Sequence, residues 1–276
     1  KLVGENHPDG VMINFYLNKF QEKDTVQLEI LEENGALIQG YSTHAKADKL
    51  NPSATKPLKV QAGGNNMVWN MRYPGYKTFK GMIFYSSPNK GPKAVPGNYK
   101  LKLTVNGVSQ EQGFEIIKDP RLPNSQNDYR EQFDFLIAVR DQVTKANEAI
   151  IKIRSIQKDL KYLKDKTKDN DSLQTLITEY EAELSVIENN IHMTKNKSRQ
   201  DPLNYGIRIN NRLAFLLADS QRGDYRPTQQ AKEFFNEIVA ELDVQINNLN
   251  GLVDKQTAIV NSKIEEEDIK FISTEP

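Results

Sequence analysis

Cysteine is absent from all 276 residues. That excludes disulfides, thiolate nucleophiles and Cys-ligated metals together. It does not fix a compartment, because cysteine-free chains occur in the cytosol and in bacterial envelopes alike. Histidine is nearly absent too: His7 sits in a turn, His44 in a long loop and His192 near a helix end. None is spaced as a metal pair or as a triad member beside a nucleophile, so all three read as solvated surface. No apolar run approaches the roughly 20 residues that span a bilayer. Formal charge is zero, without the concentrated basic face that nucleic acid demands. The opening Lys1-Leu2-Val3-Gly4-Glu5-Asn6 has neither an initiator Met nor an apolar segment, and reads as the start of a mature or excised chain.

Short motifs add little. The run Ala62-Gly63-Gly64-Asn65-Asn66 lacks the strand–loop–helix setting and the Lys-Ser/Thr ending of a phosphate loop. Arg222-Gly223-Asp224 matches an adhesion tripeptide, but a helix-ending glycine accounts for it. Glu265-Glu266-Glu267-Asp268 reads as a solvated acidic helix end, since adjacent helical carboxylates point apart. No catalytic residue, no metal ligand and no cofactor is therefore expected of this chain.

What the chain does have is a change of pattern at Lys118-Asp119-Pro120-Arg121. Before it, apolar and polar residues alternate between Gly and Pro punctuation. Val11–Leu17, Thr25–Ile30, Ala36–Gln39, Met67–Arg72, Tyr99–Val105 and Gln110–Ile117 read as strands. Val26, Leu28 and Ile30 share one face, as do Leu101, Leu103 and Val105. Asn34-Gly35 and Asn106-Gly107 are both read as type I′ hairpin turns. Residues 42–66 form a long connection with room for an irregular edge strand. The pattern predicts an immunoglobulin-like β-sandwich over residues 1–118, with the single Trp69 as a core plug.

After the change, apolar residues recur at three- and four-residue steps. Tyr129, Phe133, Leu136, Val139, Val143, Ala146, Ile150, Ile153, Leu160 and Leu163 predict a helix of about 40 residues, roughly 60 Å long. Pro123-Asn124-Ser125 supplies its entry and cap, and Asp171 or Ser172 caps the next helix. Stripes at Leu173–Ile191, Ile207–Leu217 and Phe234–Val253 follow, the last started by Pro227. Short links between long amphipathic helices predict an antiparallel bundle of four over residues 119–276. Charge divides with the pattern: residues 1–118 hold 15 Lys and Arg against 10 Asp and Glu, and residues 119–276 the remaining 22 against 27.

One local excess bears on function. Trp69, Tyr73, Tyr76, Phe79, Phe84 and Tyr85 place six of the 23 aromatic residues within 17 positions. Such a cluster can contact a partner protein or stack on sugar rings by exposed faces, or it can form a satellite core under a long loop.

Several segments carry a family resemblance. Gly4–Leu17, Trp69-Asn70-Met71-Arg72-Tyr73-Pro74, Phe79-Lys80-Gly81-Met82, Gly91–Tyr99 and Asp119-Pro120-Arg121 come in order, followed by Asn210-Asn211-Arg212-Leu213-Ala214, Pro227-Thr228-Gln229-Gln230-Ala231 and Leu242-Asp243-Val244-Gln245. Together they resemble the C-terminal region of bacterial, Bacteroidetes-type sortilin-like proteins with BNR-repeat propellers, often labelled glycosyl hydrolases. The chain departs from that pattern at Phe84-Tyr85, where Trp is common, and at Asn70, where Asp is common. The resemblance implies an exported protein, in the periplasm, at the outer membrane surface or secreted. It also implies that catalytic residues, if any, lie in a propeller outside this chain. The expectation is a non-catalytic accessory module that packs on its own propeller or on an envelope partner. Carbohydrate binding through the 69–85 aromatics, or support of a propeller hydrolase, are the alternatives.

Overall fold

The computed structural model describes Gly4 and residues 6–267. It consists of an N-terminal β region of seven strands in two sheets, then a helical region of five helices. The strands are β1 (Val11–Leu17), β2 (Val26–Glu32), β3 (Leu37–Ser42), β4 (Lys56–Pro57), β5 (Gly63–Trp69), β6 (Gly97–Val105) and β7 (Val108–Ile116). β1 and β5 pair as an antiparallel ribbon, and the other five form a sheet in the order β4-β3-β2-β6-β7.

Alternation sets which side chains go inside. Ile13 and Leu17 of β1 and Trp69 of β5 meet Val26, Leu28 and Ile30 of β2, Ile38 of β3 and Tyr99 of β6 in one core cluster. Leu101, Leu103 and Val105 of β6 pack against that cluster but are only partly buried. The two Asn-Gly turns differ. Asn106 and Gly107 both have positive φ, 48° and 86°, as a type I′ turn requires. At the other turn only Gly35 is left-handed, and its N–H donates to Glu32 O at 2.9 Å. That is a type I turn closed by a left-handed glycine, one residue longer than the expected hairpin, and Ala36 N caps it by donating to Asn34 Oδ1 at 2.8 Å. The long connection yields β4, a two-residue strand parallel to β3. The run Gly63-Gly64-Asn65-Asn66 is the first half of β5.

The helices are α1 (Gln126–Lys166), α2 (Asp171–Ile191), α3 (Pro202–Tyr205), α4 (Ile209–Asp219) and α5 (Gln229–Glu266). Ser125 starts α1 through a reciprocal cap: its N–H and hydroxyl bond Asp128 Oδ2 at 2.6 and 2.8 Å, while Asp128 N–H donates to Ser125 Oγ at 3.3 Å. α2 is capped one residue earlier than expected, by Asn170, whose Oδ1 accepts from Leu173 N at 3.0 Å. All ten apolar residues of the α1 stripe are buried. Phe234, expected inside, is exposed under the Arg212 guanidinium.

The chain divides into two compact units. The first comprises Lys1–Thr78, Pro88–Asp141 and Leu217–Thr228; the second comprises Phe79–Ser87, Gln142–Leu216 and Gln229–Pro276. Residues 79–87, between β5 and β6 in sequence, thus belong to the helical unit, and the first turns of α1 belong with the strands.

Candidate functional site

The six aromatics of the 69–85 segment fall three to each unit. In the first unit Trp69 is buried, its indole N–H donating to Arg72 O at 3.2 Å and its ring meeting Tyr99 and Phe114 edge-on. Tyr73 is half-buried; its hydroxyl donates to Glu32 Oε1 at 2.7 Å and its ring meets Phe133 at 4.7 Å. Burial, then the Glu32 bond, push the Tyr73 phenol far above its ordinary value. Tyr76 is buried, which does the same to its phenol. In the second unit Phe79 is buried and Phe84 half-buried, both against His192, at 4.9 and 6.2 Å between ring centres. Tyr85 alone is exposed, at 41%.

His192 corrects the surface reading: it is 3% exposed. Helical periodicity hides it, because it is the C-cap residue of α2 and lies just past the last buried position of the stripe. The Asn210 amide lies between Asn147 Oδ1 at 3.0 Å and His192 Nδ1 at 3.3 Å, all three side chains buried, and Asn210 Oδ1 is buried without a partner. Burial, and then the charge of Arg154, push the His192 imidazole down to about 4. Arg154 lies 4.7 Å from the centre of the Phe79 ring, bonds Glu188 Oε1 at 2.8 Å and donates to Lys80 O at 3.0 Å. Asn211 accepts from Tyr85 N at 2.7 Å and donates to Tyr85 O at 3.1 Å and Ser87 Oγ at 3.0 Å. Residues 79–87 are therefore a strap sewn to the helices by side chains that grip its backbone. An Asn-Asn pair in the first turn of α4 is the only sequence trace of this arrangement.

The first unit contains a cleft that no sequence motif announced. Its volume is about 260 Å³. Met71 and Arg72 follow β5, Lys93–Pro96 precede β6, and Ile116–Asp119 end β7; the first turns of α1 and the loop after α4 complete the wall. Tyr73 N–H to Pro92 O (2.9 Å) and Ala94 N–H to Met71 O (2.7 Å) lock two of these segments together. Gly91 is required beside them, since a Cβ there would collide with the Tyr73 and Pro74 carbonyls. Gln132 donates to Ser220 O at 3.0 Å and Gly223 O at 2.9 Å, fixing the 220–224 loop, which Asn124 also holds through Asp224 O. This is where Arg222-Gly223-Asp224 lies, and Gly223 has a left-handed φ of 80°.

Arg72 Nη1 donates to Gly91 O at 2.7 Å and Gln221 Oε1 at 2.8 Å, yet the guanidinium makes no ion pair among the described residues. Burial pushes it down from its ordinary value, opposed by the charge of Asp9. Lys93 and Lys118 also line the cleft without an ion pair among the described residues; Lys118 Nζ donates to Asn124 O at 3.2 Å. Of the two lining carboxylates, Asp119 is gripped at both oxygens by Arg121, which holds it at about 2, and Asp224 completes the pair. Tyr129, also in the lining, has a buried hydroxyl with no hydrogen-bond partner among the described residues.

Among the described residues no three or more His, Asp or Glu side chains gather as a metal site, and no helix is long and apolar enough to cross a membrane. Glu266 and Glu267 pair with Lys263 at 3.1 and 3.5 Å, while Asp268 of the same acidic run lies outside the described residues, as do Lys1–Val3 and Glu5. No family model, no curated protein and no solved structure matches this chain.

Proposed function

We propose that this chain is a non-catalytic accessory module of an exported multidomain protein, an immunoglobulin-like sandwich followed by an antiparallel helical bundle. Its partner is a protein: the propeller of its own parent or a component of the bacterial envelope. The observation that carries this reading is the use made of the 69–85 aromatics. Five of the six are buried or half-buried and tied to their own unit, as Trp69 is to Arg72 O and Tyr73 to Glu32. Side chains that could stack on a ligand are instead spent on holding a fixed shape, which suits a scaffold. The charged cleft supports the same view. A general acid needs a proton to give near neutral pH, and Arg121 holds Asp119 ionised down to about 2. The resemblance to the region after a BNR-repeat propeller supports the choice of partner.

The test is to express any propeller encoded upstream in the same gene separately and titrate it with this chain by calorimetry. Saturable binding with a Kd of about 10 μM or tighter, and no turnover of aryl-glycosides by the chain alone, is the expected result. Turnover abolished by a single carboxylate substitution would refute the reading. Binding to a glycan array lost in Tyr85→Ala would favour the carbohydrate alternative.

A further inference from the structure

The cleft of the first unit has three cations on its wall, Arg72, Lys93 and Lys118, none of which makes an ion pair among the described residues. Folding leaves a half-buried guanidinium beside a carbonyl and an amide oxygen, and both of those contacts use Nη1. The charge of Asp9 opposes the effect of that burial without cancelling it, and a charge taken out of water stays costly to the extent that it lacks a paired counter-ion. One of the two wall carboxylates, Asp119, is already neutralised by Arg121, so the cleft favours an anion. The same cleft is also lined by the apolar Val95, Ile116 and Phe133. The Tyr129 hydroxyl, buried beneath the same lining, has no hydrogen-bond partner among the described residues. At about 260 Å³ the space exceeds the roughly 150 Å³ in which a dry protein cavity holds benzene.

We propose that this cleft binds a small organic carboxylate carried on an apolar body, the carboxylate facing the Arg72, Lys93 and Lys118 side and the body lying on Val95, Ile116 and Phe133. Such a ligand matches the wall in charge, polarity and size at once. The site is independent of the partner-protein reading above and can stand if that reading fails.

Calorimetric titration of the whole chain with 3-phenylpropionate at low salt tests it, with 3-phenylpropionamide and acetate as comparisons. The expected result is saturable single-site binding of the phenyl acid. The amide, which keeps the body but loses the charge, should bind at least about tenfold more weakly, and so should acetate, which keeps the charge but loses the body. Arg72→Gln should weaken binding about tenfold or more, as charge-assisted bonds are the strong ones. Because Arg72 also ties two loops, the double variant Lys93→Gln, Lys118→Gln is the second arm, with Trp69 fluorescence confirming the fold, and the same weakening is expected. A Phe-ending tripeptide with a free carboxylate identifies the source: tighter binding than the phenyl acid assigns the ligand to a chain terminus, weaker binding to a free small acid. No saturation by either carboxylate up to about 10 mM, equal binding of the amide, or indifference to both variants overturns the proposal.

Discussion

A buried histidine makes the helical unit sensitive to acid. His192 is packed against Phe79 and Phe84 and bonded to the Asn210 amide, so protonating it would place a second positive charge near Arg154 with little water to solvate it. Its ordinary value of 6.5 falls to about 4 in the fold. Above pH 6.5 the ring is neutral in folded and unfolded chains alike, and this group costs nothing. Between 6.5 and about 4 only the unfolded chain takes up the proton, so stability is lost as the pH falls through that window. At about 1.4 kcal/mol per pH unit, the loss reaches about 3 kcal/mol near pH 4. Urea melts followed by helical circular dichroism should show the native chain losing about 2 kcal/mol more than His192→Gln between about pH 7 and about pH 5. Equal losses in the two proteins would show that His192 is not the responsible group.

The strap at 79–87 is the element whose position depends most on single side chains. It has no regular secondary structure, and Ser86 sits in the left-handed region at φ 47°. Its backbone is held by Asn211 at Tyr85, and by Arg154 at Lys80 O. Asn211→Ala removes three part-buried hydrogen bonds at once, the one accepted from Tyr85 N–H and those donated to Tyr85 O and Ser87 Oγ, together about 1–3 kcal/mol. Amide exchange of residues 80–87 should therefore accelerate by about tenfold to a hundredfold, with α2 little changed; unaltered exchange in the strap would contradict the role given to Asn211. Strands and helices were legible in the sequence because period is a local property. Val26, Leu28 and Ile30 alternate, Val139, Val143, Ala146 and Ile150 step by three and four, and each set is buried. The strap and the cleft were not legible, because their determinants are side-chain-to-backbone bonds between residues far apart in sequence: Asn211 to Tyr85, Gln132 to Gly223, Gln221 to Lys90. Periodicity also misplaced His192 and Phe234, whose surroundings are set by the strap and by Arg212.

At the scale of the whole chain, the change of pattern near Lys118 marks where strands give way to helices, while packing groups residues on another basis. The β region's unit draws in residues 119–141 and 217–228. Val95, Tyr129 and Phe133 form a buried cluster with Tyr73 and Ile137 against it, so three of these five side chains come from α1. Cutting the chain after residue 118 would strip Val95 and Tyr73 of those partners and open the apolar wall of the cleft. Re-exposing two such side chains costs at least about 2 kcal/mol by area. The single Trp69, buried among Tyr99 and Phe114, reports on this region alone. Its fluorescence should give a urea midpoint for fragment 1–118 lower than that of the intact chain by roughly 1 M. Phe133→Ala in the intact chain should move the midpoint in the same direction by a smaller amount, since it removes one ring and leaves the rest of the cluster. Matching midpoints for the fragment and the intact chain would mean that the strands are self-sufficient and that α1 only rests on them.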